Sequence, residues 1–215
     1  MRTKFFLGIL GLLISATHNS VGGVEKSAHE IYEIRTTWDN QTVSTDDIVR
    51  LEFSSADNGL VIDISAPFYN DPKPSGNPGR QPGLWNYEVV EAFFLGPNNK
   101  YLELEFGPWG HYLALYLEGV HNVTNYDIPI SHYTTSHSTT SSTWTGRAII
   151  PSRFFPPGVN SFNAYSIHGV GKDRTYMSLF PVGFNTSANP DFHRLDRFQP
   201  INLSNFINVT TPMNP

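Results

Sequence analysis

Leu84-Trp85-Asn86-Tyr87-Glu88-Val89-Val90-Glu91-Ala92-Phe93-Phe94-Leu95 is the most apolar of the long strand candidates in the chain, and it ends at the turn-forming Gly96-Pro97-Asn98-Asn99. Its density of β-branched and aromatic residues predicts a strand over 84–95. Successive strand side chains point to opposite faces. Trp85, Tyr87, Val89, Glu91, Phe93 and Leu95 therefore share one side, and Asn86, Glu88, Val90, Ala92 and Phe94 the other. Because both sides are largely apolar, the strand is expected to lie centrally between layers, which implies two packed sheets.

Working outward, 101–106 reads as its hairpin partner, with Tyr101, Glu103 and Glu105 on one face and Leu102, Leu104 and Phe106 on the other. The segment 111–117 reads as the next strand. Upstream, 31–38, 48–53 and 60–66 have strand character. Asp57-Asn58-Gly59 predicts a type I′ turn between the last two, since Asn-Gly supplies the positive φ angles that turn needs. Downstream, 144–150, 162–168 and 174–182 read as strands, with a helical turn over 152–155 before Pro156-Pro157-Gly158. The Ser/Thr-rich 131–143 reads as an exposed, weakly specified strand or loop. Five prolines and three glycines between 67 and 83 prevent a ladder or a helix there, so a long surface loop is expected, a common place for binding residues. The predicted architecture is all-β: a two-layer antiparallel β-sandwich over 23–200 with one short helical turn, followed by an extended C-terminal tail over 201–215.

Composition narrows the function. With 39% hydrophobic and 15% charged residues, polarity comes from Asn, Ser, Thr, Gly and Pro, as in turn-rich β proteins. Fourteen Lys and Arg against 19 Asp and Glu give a net charge of -5, which argues against a nucleic-acid partner. Arg2 and Lys4 precede an uncharged run over 5–14 that is too short to span a bilayer, the pattern of a secretory signal peptide over 1–22. No later stretch reaches membrane-spanning length, so a secreted, extracellular product is expected. Five sequons, at Asn40, Asn122, Asn185, Asn202 and Asn208, are glycosylation candidates on that route. The chain has no cysteine, which removes disulfides, thiolate metal sites and a cysteine nucleophile.

An aromatic plate beside a carboxylate suits a sugar, whose apolar ring face stacks on the aromatic while acceptors fix its hydroxyls. Trp85, Tyr87, Glu91 and Glu103 are the ligand-binding candidates on that logic. In the competing reading Trp85 is core, Glu91 pairs with Arg147 or Arg174, and the alternating glutamates of 101–106 form a solvated face. Paired glutamates also raise glycoside hydrolysis through Glu91 with Glu103 or Glu105. No nucleophile elbow, P-loop, dinucleotide fingerprint or zinc-ligand spacing accompanies the eight histidines, so no catalytic residue, metal or cofactor is expected. His111, His168 and His193 read as structural.

The 84–95 stretch, together with Asp63-Ile64-Ser65-Ala66-Pro67-Phe68, Tyr101-Leu102-Glu103, Phe162-Asn163-Ala164-Tyr165-Ser166-Ile167-His168-Gly169, Arg174-Thr175-Tyr176 and Pro190-Asp191-Phe192-His193, resembles an animal protein family without an assigned activity, over most of the chain past residue 22. More distantly, Val89-Val90-Glu91-Ala92-Phe93-Phe94 followed by Tyr101-Leu102-Glu103 looks like carbohydrate-binding module family nine and the related DOMON domains. That likeness implies a β-sandwich in which Trp85 and Glu91 help hold a sugar. A DOMON-like haem site would instead use Met177 or a histidine as axial ligand. The leading expectation is a non-catalytic carbohydrate-binding protein walled by the Pro-rich loop. The alternatives are a structural or protein-interaction sandwich with no small ligand, and a glycoside-active enzyme.

Overall fold

A computed structural model describes residues 29–130, 132–183 and 186–207. The expected signal segment lies outside them, as do Asn185 and Asn208. The strands in chain order are β1 (His29–Ile34), β2 (Thr36–Thr37), β3 (Val49–Ala56), β4 (Gly59–Pro67), β5 (Gly79–Arg80), β6 (Val89–Leu95), β7 (Lys100–Phe106), β8 (His111–Glu118), β9 (Val123–Asn125), β10 (Tyr133–Ser138), β11 (Thr143–Pro151), β12 (Ser161–His168), β13 (Thr175–Ser178) and β14 (Gln199–Pro200). They form a five-stranded sheet in the order β1-β3-β4-β11-β10. The nine-stranded sheet runs β2-β13-β12-β6-β7-β8-β5, with β14 beside β12 and β9 beside β8. Every pairing is antiparallel except the two-residue β5 against β8. The expected antiparallel sandwich is the observed fold, with β6 at the centre of the larger sheet and the Ser/Thr-rich β10 at an edge of the smaller.

Period-two alternation builds two apolar layers from one strand. Val90, Ala92 and Phe94 of β6 face the five-stranded sheet and meet Leu51, Phe53, Ile62 and Ile150 in the main core. The stacked ring of Phe162 and the edge of Phe155 close around Phe94. Val89 and Phe93 point the opposite way, joining Leu113, Leu115, Leu117, Tyr165 and Ile167 in a second cluster that Phe192, Leu195 and Phe198 cover. The outer face of the larger sheet is thus partly roofed by chain rather than open to water, and that roof positions the site.

Several elements differ from expectation for local reasons. The strand begins at Val89. Leu84–Asn86 is a 3-10 turn entered through Gly83 at φ 73. The β3–β4 hairpin is not type I′, because neither Asp57 nor Asn58 takes a positive φ. Gly59 is required for another reason: a Cβ there would sit 2.2 Å from the carbonyl oxygen of Ile150 on β11. The left-handed pair falls at Asn98 (φ 59) and Asn99 (φ 55), between β6 and β7. Of 174–182 only Thr175–Ser178 is strand. Beyond Pro200 the described chain does not leave the core, since Ile201, Leu203, Phe206 and Ile207 are buried in its main cluster. Asn40, Asn122 and Asn202 are exposed.

The Pro-rich loop is tied down at its start by charge-assisted contacts. Buried Glu88 accepts the backbone N–H groups of Tyr69 (3.1 Å) and Asp71 (3.3 Å), while the Asp71 carboxylate accepts from Gly169 N–H (2.5 Å). Tyr69 stacks on His168 at a centroid distance of 3.7 Å.

Candidate functional site

Strand register places three carboxyls on one patch of the larger sheet's outer face. Glu91 of β6 lies directly across from Glu105 of β7 and, on its other side, from Tyr165 of β12; Glu103 lies across from Phe93. Directly opposed side chains in an antiparallel pair have Cβ atoms roughly 4.5–5.5 Å apart, so like charges there repel. All three are deeply buried: Glu91 is 2% exposed, Glu103 4% and Glu105 0%. The solvated acidic face expected of alternating glutamates on 101–106 is therefore absent, because the segment around Pro190-Asp191-Phe192-His193 covers it.

Above this patch opens a pocket of about 410 Å³. Glu91, Phe93, Glu103, Leu115 and Leu117 line its sheet side, and Trp85, His121, Tyr176 and the 190–193 segment form its rim. Glu105, across from Glu91, is not among the lining residues. Trp85 stands 45% exposed at the mouth, so it is not a core residue. It arrives there through the 3-10 turn rather than by strand alternation. Arg174 clamps that turn by donating to the carbonyl oxygens of Trp85 and Asn86. Trp85, Glu91 and Glu103 thus converge as the sequence reading anticipated. Tyr87 does not: it is half-buried against the second cluster and is absent from the pocket walls. The Pro-rich loop contributes no wall either.

The electrostatics are unusual because so little neutralises the acids. One carboxylate oxygen of Glu91 and one of Glu103 are buried with no hydrogen-bond donor, and Glu105 has only the neighbouring Glu103 carboxyl and a weak approach of the Trp85 backbone N–H. Burial, reinforced by mutual repulsion, pushes Glu91 and Glu105 well above the usual carboxylate range. Burial raises Glu103 to about 7. Glu105 and Glu103 lie within hydrogen-bonding reach of one another, and such a bond exists only if one of them carries a proton. Arg174 opposes the rise at Glu91 but makes no salt bridge with it. Its N–H groups go to Trp85, Asn86, Gly169 and the Tyr176 hydroxyl. The other suggested partner, Arg147, pairs with Asp63 at 2.6 Å on the smaller sheet. The ring of His193 sits 4.0 Å from Glu103 and its Nδ1 meets the Tyr101 hydroxyl at 2.6 Å. Burial lowers His193 to about 4, so it brings no positive charge near neutral pH.

Chemically the patch is an acceptor-rich floor beneath an indole. Glycoside hydrolysis needs carboxyls flanking the scissile bond. Glu91 and Glu103 instead rise from the same floor. Among the described residues no group of three or more His, Cys, Asp or Glu is disposed to hold a metal ion. Met177, the haem-ligand suggestion, is sealed in the inter-sheet core. A second groove of about 380 Å³ crosses the outer face of the smaller sheet, but its charges already pair internally, Arg147 with Asp63 and Arg50 with Glu52. Sequence reasoning names Glu105 and Arg174 only as a catalytic partner and an ion-pair partner of Glu91, and the residues that it missed are His121, His193, Tyr176, Asp191 and Phe192. Only their presence in segments shared with a known family marked some of them; no periodicity does.

No family model matches the chain. A solved structure of a "putative carbohydrate-binding protein" from Bacteroides uniformis superposes with a TM-score of 0.55 over 80% of this chain and 84% of that one; at 14% identity the likeness is one of fold. Among curated proteins, the UPF0462 protein C4orf33 homolog of Danio rerio is 44% identical over 82% of this chain and 90% of its own length. The homolog of Rattus norvegicus is 41% identical and the Homo sapiens protein 39%, each covering 82% of this chain and 89% of the relative. Identity of this order over 82% of this chain and about nine-tenths of each relative means that the chain belongs to the UPF0462 C4orf33 family.

Proposed function

We propose that this is a secreted, glycosylated, non-catalytic binding protein whose ligand is a carbohydrate held in the pocket between Trp85 and the carboxyls of Glu91 and Glu103. The observation that carries the reading is an exposed indole standing over buried acceptors that no protein donor satisfies. Sugars offer an apolar ring face for the indole and a fan of hydroxyl donors for the carboxyls, and those donors offset the cost of leaving the acceptors unpaired. The sandwich shared with the Bacteroides uniformis protein agrees with this use of the fold, and the signal-like pattern of the sequence over 1–22, together with exposed sequons at Asn40, Asn122 and Asn202, supports the route.

A glycan array followed by calorimetry tests the ligand class. Binding by the native protein and loss of roughly tenfold or more in Trp85→Ala is expected, since stacked aromatics contribute about 0.5–1.5 kcal/mol beyond their buried area. Trp85 is half-exposed, so its removal should leave the fold intact. No binding across the array, or equal binding by the variant, would remove the proposal. Expression in a secreting animal cell tests the route: the product should appear in the medium and shrink on treatment with an amidase that strips N-glycans.

A further inference from the structure

We propose that the pocket selects a ligand bearing a protonated amine beside its hydroxyls, the chemistry of an amino sugar, with Glu91 and Glu103 as the partners of that amine. The inference rests on the carbohydrate reading above and narrows it. Two carboxyl groups that open on the pocket, each more than nine-tenths buried, keep an oxygen without any donor. Each hydroxyl brings one donor and two acceptor lone pairs. An ammonium brings three donors, no acceptor and the charge the floor lacks.

The surrounding groups leave that charge unsupplied. Facing Glu91 and Glu103 are Glu105 and Tyr101 from β7, Tyr165 from β12, Tyr176 from β13, Arg174 before it, His121 after β8, and Asp191 and His193 from the roofing segment. Arg174 is the one permanent cation among them, and four of its N–H bonds are committed to carbonyls and a tyrosine hydroxyl. His193 is neutral near pH 7, and Asp191 adds a further acid at the rim. A metal ion would require converging ligands, and the described residues offer no such group. Ring C–H groups of an amino sugar can lie on Trp85 while its ammonium reaches the floor, and the indole face itself favours a cation.

Calorimetry of the full chain at pH 7 with D-glucosamine, D-glucose and cyclohexylamine decides the matter, each run in two buffers of different ionisation enthalpy. Glucosamine is expected to bind at least about tenfold more tightly than glucose. Its binding should release up to about one proton, as the carboxyls ionise against the incoming charge. In Glu91→Gln, which keeps size and hydrogen-bonding capacity but cannot become negative, the ratio of glucosamine to glucose affinity, both measured on the variant, should shrink to about twofold. Near-UV circular dichroism verifies that the variant is folded, and Glu103→Gln replaces it if it is not. Glucose binding as tightly as glucosamine, or glucosamine binding without proton release, overturns the amine inference and leaves carbohydrate capture standing. Cyclohexylamine matching glucosamine while glucose fails removes the saccharide and keeps the amine. Binding of none of the three overturns both.

Discussion

Replacing Glu103 by glutamine should stabilise the protein in alkaline solution and do little in acid. The side chain is 4% exposed, and burial raises its pKa from 4.5 to about 7. A carboxyl whose folded-state pKa lies above its unfolded value binds protons more tightly when folded. Its contribution is most favourable below about pH 4.5, and stability is lost as pH climbs through the interval up to about 7. The interval corresponds to about 3 kcal/mol at 1.36 kcal/mol per pKa unit; sharing of the proton with Glu105 makes about 1–3 kcal/mol the working range. Glutamine carries no such penalty. Its presence also relieves the repulsion felt by Glu91 and Glu105, which acts in the same direction. With a urea slope of about 2 kcal/mol per molar, the midpoint of Glu103→Gln should exceed that of the native protein by about 0.5–1.5 M at pH 8 and by much less at pH 4.5. Urea titrations followed by tryptophan fluorescence read this directly. Midpoint differences that are equal at the two pH values, or larger in acid, would refute the placement of an ionising carboxyl in that floor.

The mirror case is His193, whose pKa burial lowers from 6.5 to about 4; stability should fall as pH drops through that window, by about 2–3 kcal/mol, and His193→Gln should flatten the acid limb of a thermal-melting profile. Gly59→Ala forces a Cβ into the backbone of Ile150 and should cost about 2–4 kcal/mol in chemical denaturation, against about 1–2 kcal/mol at the open Gly76, where the cost comes from its positive φ alone. Phe94→Ala empties a fully buried ring from between the sheets and should cost about 3–5 kcal/mol, enough to shift the urea midpoint by more than 1 M. Arg174→Met frees the turn that holds the Trp85 indole over the pocket. It should weaken ligand binding several-fold without a comparable loss of melting temperature, as paired calorimetry and melting curves would report.

Period-two alternation was enough to anticipate the sandwich, because a residue on a strand has only two faces to choose from and the apolar ones reveal which are covered. The same rule put Trp85 and Glu91 on one face of their strand and Glu103 and Glu105 on one face of the next, but it does not give the register that brings the acids together. It failed where the backbone leaves the strand region. Trp85 and Tyr87 looked like members of one face, yet the 3-10 turn over Leu84–Asn86 rotates the indole to the pocket mouth and leaves Tyr87 against the second cluster. It failed again at the acids of β7, since alternation says which residues share a side and nothing about what lies over them. Only the distant segment carrying Phe192 and His193 turns a wet face into a dry one. Gly59 shows the same limit in the backbone: a local reading assigned it to a turn conformation, whereas the neighbour that forbids a side chain belongs to β11.

The packing of Phe206 against Phe53, rings 6.3 Å apart and nearly perpendicular, joins the opposite ends of the described chain within one core. During synthesis the ribosome delivers β3 long before Ile201, Leu203 and Phe206 emerge, so the early hairpins must wait with a greasy flank uncovered. Contacts so distant along the chain make for slow folding, and the waiting intermediate is a natural client for chaperones.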